Sequence, residues 1–178
     1  MLYIELAIIV ALILMNGLLA LAELAIVSSR RARLQALVDR GVIGSRRALA
    51  LATDPGRSLS TVQIGITLVG VLSGAFSGAT LGLRLTEGFI DLGVRASIAE
   101  AVGVGLVVAV ITYFSLVIGE LVPKQIALRD PEKIAVRVAP AMTAMAGIAS
   151  PAVSFLDISG RAVYASDSEH FRFAPRTC

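Results

Sequence analysis

The chain has 178 residues, 56% of them hydrophobic and only 16% charged, with a formal charge of +3. A soluble domain carries about a quarter charged residues, so this composition, with a mean hydropathy of +0.83, excludes an ordinary soluble domain. A single histidine (His170) and a single cysteine (Cys178) exclude a metal centre built on imidazole or thiolate within one chain, which leaves only hard, oxygen-ligated metals.

The first apolar run, Leu6 to Val27, is interrupted only by Asn16 and Glu23 and gives a span over about residues 4–27. A membrane-crossing helix needs about 20 mostly apolar residues. Ala20-Leu21-Ala22 resembles a signal cleavage site, but the segment before the run carries Glu5 and no Lys or Arg, and the run is long for a signal peptide. It is read as a retained span. Asn16, Ala20 and Glu23 share one helical stripe, with the carboxamide and carboxylate about 10 Å apart along the axis. Glu23 either belongs to a polar stripe inside a bundle or pairs with an arginine at the headgroup boundary.

Residues 29–40 form an amphipathic helix, with Leu34, Leu37 and Val38 on one face and the arginines elsewhere. A serine is expected to cap its start, and Gly41 suits its end. A second short helix, 45–53, stops at the turn signal Asp54-Pro55-Gly56. Such basic helices either rest on anionic lipid or simply orient the chain.

The second span covers about 58–83 and contains no charge. Gly70, Gly74 and Gly78 are spaced by four, as are Ser73 and Ser77, and Thr67, Gly70 and Gly74 line a stripe. Small residues at this spacing let helices approach closely. Alternatively, the hydroxyls face a cavity and offer neutral oxygens to a dehydrated cation.

The third span, about 101–122, ends in Gly119-Glu120-Leu121-Val122-Pro123-Lys124. Pro123 has no N–H for the carbonyl four residues earlier, that of Gly119. The freed carbonyl lies beside the Glu120 carboxylate, and Thr112, Ser115 and Gly119 fall on one face. These are hard oxygen ligands of the kind Mg²⁺ or Na⁺ accepts. The structural alternative is a kinked helix end with Glu120 paired to Lys124. Beyond it, Asp130-Pro131-Glu132 opens another helix, Asp as N-cap and Pro at its first position. The apolar stretch Val138 to Leu156 contains Pro140, Gly147 and Pro151, and the region 131–156 is read as helical and non-crossing. Residues 164–178 have no periodicity.

Seven arginines lie between the first two spans: Arg30, Arg31, Arg33, Arg40, Arg46, Arg47 and Arg57. Between the second and third lie only Arg84 and Arg95, opposed by Glu87, Asp91 and Glu100. The basic loops belong in the cytoplasm, which puts the N-terminus outside and the C-terminus inside. The fold class is thus an all-α integral membrane protein: a three-span helical bundle with cytoplasmic juxtamembrane helices, multi-pass in the cell membrane. The lipid bilayer is its partner. The arginines form no continuous tract, so no nucleic-acid partner is expected. HExxH, GxSxG and phosphate-loop motifs are lacking, and no enzyme is expected.

Three segments, Asn16 to Ala25, Leu59 to Leu68 and Gly119 to Lys124, resemble in order and spacing the transmembrane domain of the CorC/cyclin-M family, over about residues 1–163. The resemblance implies a homodimer with a cytoplasmic belt of juxtamembrane helices. It implies Mg²⁺ transport, as efflux coupled to Na⁺ entry, through a site at Asn16, Ser73, Ser115, Gly119 and Glu120, with Pro123 and Lys124 shaping it. Members usually have a small hydroxyl residue near Ala22, which this sequence lacks. They also continue into tandem CBS domains, which this sequence does not contain, so nucleotide regulation is not carried over. The alternative expectation is a truncated, non-transporting membrane scaffold.

Overall fold

The computed structural model describes residues 2–147. All regular structure among them is helical: α1 Leu2–Ser28, α2 Arg31–Asp39, α3 Ser45–Thr53, α4 Gly56–Ser77, α5 Leu83–Asp91, α6 Ala96–Leu116 and α7 Val122–Arg129. A further helix, α8, runs over 131–147 to the edge of the described residues. Single π-helical turns, Gly78–Gly82 and Val117–Leu121, join α4 to α5 and α6 to α7 without a break.

Three helices are long and apolar enough to cross a membrane: Leu2–Ser28, Leu59–Asp91 and Ala96–Arg129. The second and third contain 33 and 34 residues, about 50 Å at 1.5 Å per residue, against a hydrocarbon core of about 30 Å. They therefore run past the bounds read from sequence, 58–83 and 101–122, and take in Arg84, Glu100 and Lys124. A charge outside the hydrocarbon does not stop a helix. Gly93 does, with φ +87°, and the carbonyls of Phe89 and Ile90 are taken by the N–H groups of Val94 and Gly93, a Schellman motif. Gly41 (φ +71°) ends α2 in the same way.

Span one packs along α4 and along the second π turn with α7, while the first π turn and α5 pack on α6. Glycines mark both seams. A β-carbon on Gly103 would lie 2.6 Å from Thr86 Oγ1 and 2.8 Å from its backbone nitrogen, and one on Gly82 3.1 Å from Val104 Cα. On the other seam, a β-carbon on Gly17 would lie 3.1 Å from Pro123 Cγ and 3.2 Å from the Ile118 oxygen. Gly70 and Gly74, by contrast, face open space within the chain. The regular glycine spacing of span two thus serves two purposes: close packing at Gly78 and Gly82, and room at Gly70 and Gly74.

At the end opposite the short helices, Arg84 donates to both oxygens of Glu5, at 2.8 and 3.1 Å, tying span two to span one. At the other end α2, α3 and α8 form a collar. Leu34, Ala48, Ala135, Val136, Ala139 and Met142 join Ala22, Ala25 and Ile26 of span one in one buried apolar cluster. Gly44 is required there twice over: its φ is +90°, and a β-carbon would lie 2.5 Å from the Val136 carbonyl oxygen. The serine expected to cap α2 does otherwise, since Ser29 Oγ bonds back to the Ala25 carbonyl. Glu132 takes over the cap from α8, accepting from the Arg30 N–H at 3.3 Å, with Arg33 at 3.7 Å. A carboxylate at a helix N-terminus also meets the positive end of the helix dipole. Part of the stretch Val138 to Leu156 therefore belongs to a collar helix packed on the bundle. Residues 148–156 and the 164–178 tail lie outside the described residues.

Outside these seams the rods are apolar and uncovered. Leu18, Leu68, Val71 and Tyr113 are each more than half exposed, and only 6% of the most apolar window of span three is buried. In water so large an apolar surface would aggregate; facing lipid it costs nothing.

Candidate cation cavity

Between α4 and α6, where the two seams diverge, a cavity of about 280 Å³ opens. Span one contributes Asn16. Span two contributes Gly70, Ser73 and Gly74, with Ile66. Span three contributes Ile111, Thr112, Ser115, Leu116 and Glu120. The structure thus brings together seven residues singled out from sequence: Asn16, Gly70, Ser73, Gly74, Thr112, Ser115 and Glu120. Gly70 and Gly74 make the space by having no side chain.

Asn16 is 5% exposed, and its Nδ2 donates to the Gly119 carbonyl at 3.2 Å. This corrects the sequence expectation for Gly119. Its carbonyl gets no N–H from Pro123, but Asn16 supplies one, so it is not without a partner as the sequence reading had it. The correction moves the open donor elsewhere. Only the NH₂ end of the amide has hydrogens to give a carbonyl, so Oδ1 must turn away from Gly119, and it has no hydrogen-bond partner. Gly119 itself is required by space: a β-carbon would lie 3.2 Å from the Ile13 oxygen and 3.3 Å from Asn16 Nδ2. The π turn at Val117–Leu121, which sequence reasoning missed, carries both Gly119 and Glu120. Pro123 breaks the regular hydrogen-bond ladder just there, and π turns often mark functional positions in helices.

Ser73 is the second open donor. It is 2% exposed, and its Oγ has no partner. Hydroxyls inside helices usually bond back to a carbonyl of the preceding turn. Ser60, Thr67, Ser77, Thr80 and Thr86, all on the same rod, do so at 2.7–3.1 Å. Ser73 does not, and it lines the cavity. A buried polar atom left unsatisfied costs about 1–3 kcal/mol.

The remaining candidates lie apart. Thr67 bonds to the Gln63 carbonyl and lines a separate, almost wholly apolar groove with Leu68 and Val71. Glu23 is half-buried and lines no part of the cavity. Pro123 packs at Gly17. Lys124 Nζ lies 2.5 Å from Glu120 Oε1, the pairing that the sequence posed as the structural alternative. Ala22, where a family hydroxyl is usual, sits in the apolar cluster and not at the cavity. Among the described residues no three His, Cys, Asp or Glu side chains gather as a metal cluster. The oxygens at the cavity are instead one carboxylate, one carboxamide and several hydroxyls.

This geometry defines a helical membrane protein with three candidate spans and a polar cavity between them. The chain belongs to the family described as the cyclin M transmembrane N-terminal domain, whose model matches residues 7–172. It is 50% identical over 159 residues to the UPF0053 protein sll0260 of Synechocystis, covering 89% of this chain and 36% of that protein. It is 28% identical over 149 residues to a protein named polyamine export protein in Haemophilus influenzae, covering 84% of this chain and 34% of the relative. The UPF0053 protein YhdP of Bacillus subtilis is 27% identical, with 89% and 36% covered. The chain spans about a third of the length of these relatives.

Proposed function

We propose that this chain is the membrane domain of a cation exporter, that the cation is Mg²⁺, and that its efflux is coupled to Na⁺ entry. The observation that carries the reading is the pair of buried oxygens without partners, Asn16 Oδ1 and Ser73 Oγ, at a cavity that also bears the Glu120 carboxylate. A cation is the ligand that accepts from all three at once. Mg²⁺ prefers oxygen donors, dehydrates reluctantly and usually keeps several waters, and a cavity of about 280 Å³ has room for an ion with waters. The arginine-rich collar of α2 and α3 is cytoplasmic in this reading, and the Glu5–Arg84 pair lies at the outer end. Two copies pair through the uncovered faces of spans two and three, so that both cavities lie near the interface.

A second reading, export of a polyamine, is favoured by the names of relatives in Haemophilus influenzae and Escherichia coli. Against it stands the single carboxylate of the lining, since each ammonium of a polyamine brings three donors that need acceptors. Calorimetric titration of the purified chain with Mg²⁺ and with spermidine separates the two. We expect saturable Mg²⁺ binding, weakened by Ser73→Ala, and no saturable spermidine binding. Spermidine binding without Mg²⁺ binding would install the second reading. Binding of neither would leave a non-transporting membrane scaffold.

A further inference from the structure

Glu120 is the one acidic residue on the cavity lining, and every other polar group there is neutral. Its carboxylate is already paired. Lys124 reaches it with Nζ at 2.5 Å, and the two side chains are 35% and 36% exposed. Lys124 itself is not part of the lining; it sits one turn further toward the collar, on α7. The cavity and its ion pair together therefore carry no net charge.

From this we infer that Lys124 is an internal counter-ion that sets the charge threshold of the cavity: a cation binding at Glu120 must displace the Lys124 ammonium. The inference rests on the cation reading of the site.

The physical argument is one of exchange. A monovalent ion entering at Glu120 replaces one unit charge by another, gains nothing in Coulomb energy and loses part of its hydration. A divalent ion brings twice the charge to the same carboxylate, so its attraction exceeds that of the group it expels. The neutral oxygens of Asn16 and Ser73 then supply ligands that Lys124 does not use, as both lack partners while the pair is closed. A lysine suits the role. Its ammonium is a point charge on a flexible stem with no fixed fork to hold the carboxylate, whereas an arginine would clamp it in two places. An ordinary helix-stabilising pair at this spacing is weak and needs no cavity beside it. Here the acid faces a cavity with two open oxygens.

The test measures Mg²⁺ titrations of the purified chain in detergent, with K⁺ or N-methylglucamine as the background cation. Lys124→Met removes the competitor, so the Mg²⁺ half-saturation concentration should fall about two- to fivefold in N-methylglucamine, the range set by a partly exposed ion pair. In K⁺ that gain should shrink, because the unpaired carboxylate now accepts a monovalent ion, while the wild type responds little to K⁺. Lys124→Arg keeps the charge and the fold and should raise the half-saturation concentration. The inference is overturned if Lys124→Met binds Mg²⁺ no tighter than wild type, or if Lys124→Arg leaves the titration unmoved. A wild-type chain with no saturable Mg²⁺ signal would instead remove the cation reading itself. The two failures are therefore distinct.

Discussion

Gly119→Ala tests the seam that shapes the cavity. The new β-carbon would lie 3.2 Å from the Ile13 carbonyl oxygen and 3.3 Å from Asn16 Nδ2. The first neighbour is helix backbone and cannot rotate away. The second is held by its hydrogen bond to the same glycine, at 3.2 Å. Span one and the π turn must therefore part by a few tenths of an ångström, which stretches that bond. Overpacking of this kind costs about 1–3 kcal/mol, and loss of a hydrogen bond adds about 1 kcal/mol. The better helix propensity of alanine offsets about 1 kcal/mol. We expect a net loss of about 1–3 kcal/mol. Gly105 is the control, since a β-carbon there meets nothing within 4 Å. Unfolding in detergent micelles, followed by circular dichroism, should show Gly119→Ala destabilised and Gly105→Ala unchanged or slightly stabilised. Equal midpoints for both variants would refute the seam.

Gly44→Ala should lower the stability of the collar by more than 1 kcal/mol, because it combines a positive φ with a β-carbon 2.5 Å from a carbonyl oxygen; protease cleavage in the α2–α3 turn that is no faster than in wild type would contradict this. A cysteine introduced at Asp91 should react with an impermeant reagent added outside cells, and one at Arg46 should not; the reverse pattern would invert the proposed orientation. Gly74→Leu should weaken self-association in detergent, because it fills the cavity that the proposed interface with a second copy lies beside. An unchanged oligomer distribution would move the interface elsewhere.

Much of the architecture was legible because it depends on local signals. Apolar runs gave the three spans, and the Ser45–Thr53 helix falls where its flanking turn residues put it. The candidate site was legible in part. Polar and small residues in otherwise apolar helices stand out, and most of them line one cavity. What escaped the sequence was set by neighbours distant along the chain. Gly17 and Gly44 look like any other glycines until Pro123 and the Val136 carbonyl are placed against them. Thr67 and Gly70 lie three residues apart, yet the cavity takes only the second. The Gly119 carbonyl was read as free because Pro123 is local, while its actual partner, Asn16, lies 103 residues away. The same distance hid the cap that Glu132 gives α2. One signal was available for the π turn: a glycine and a glutamate just before a proline in a span, a place where the hydrogen-bond ladder must rearrange.

The central claim is that the oxygens at this cavity carry Mg²⁺ across the membrane. Its most direct test is Mg²⁺ flux in proteoliposomes holding the purified chain, with an inward Na⁺ gradient and a fluorescent Mg²⁺ indicator. Ser73→Ala, Asn16→Ala and Glu120→Gln are compared with Leu106→Ile, a change on an exposed apolar position. Wild type and Leu106→Ile should transport alike, and each of the three cavity variants should lose most of the flux while inserting normally. Wild-type flux from all three cavity variants would contradict the account.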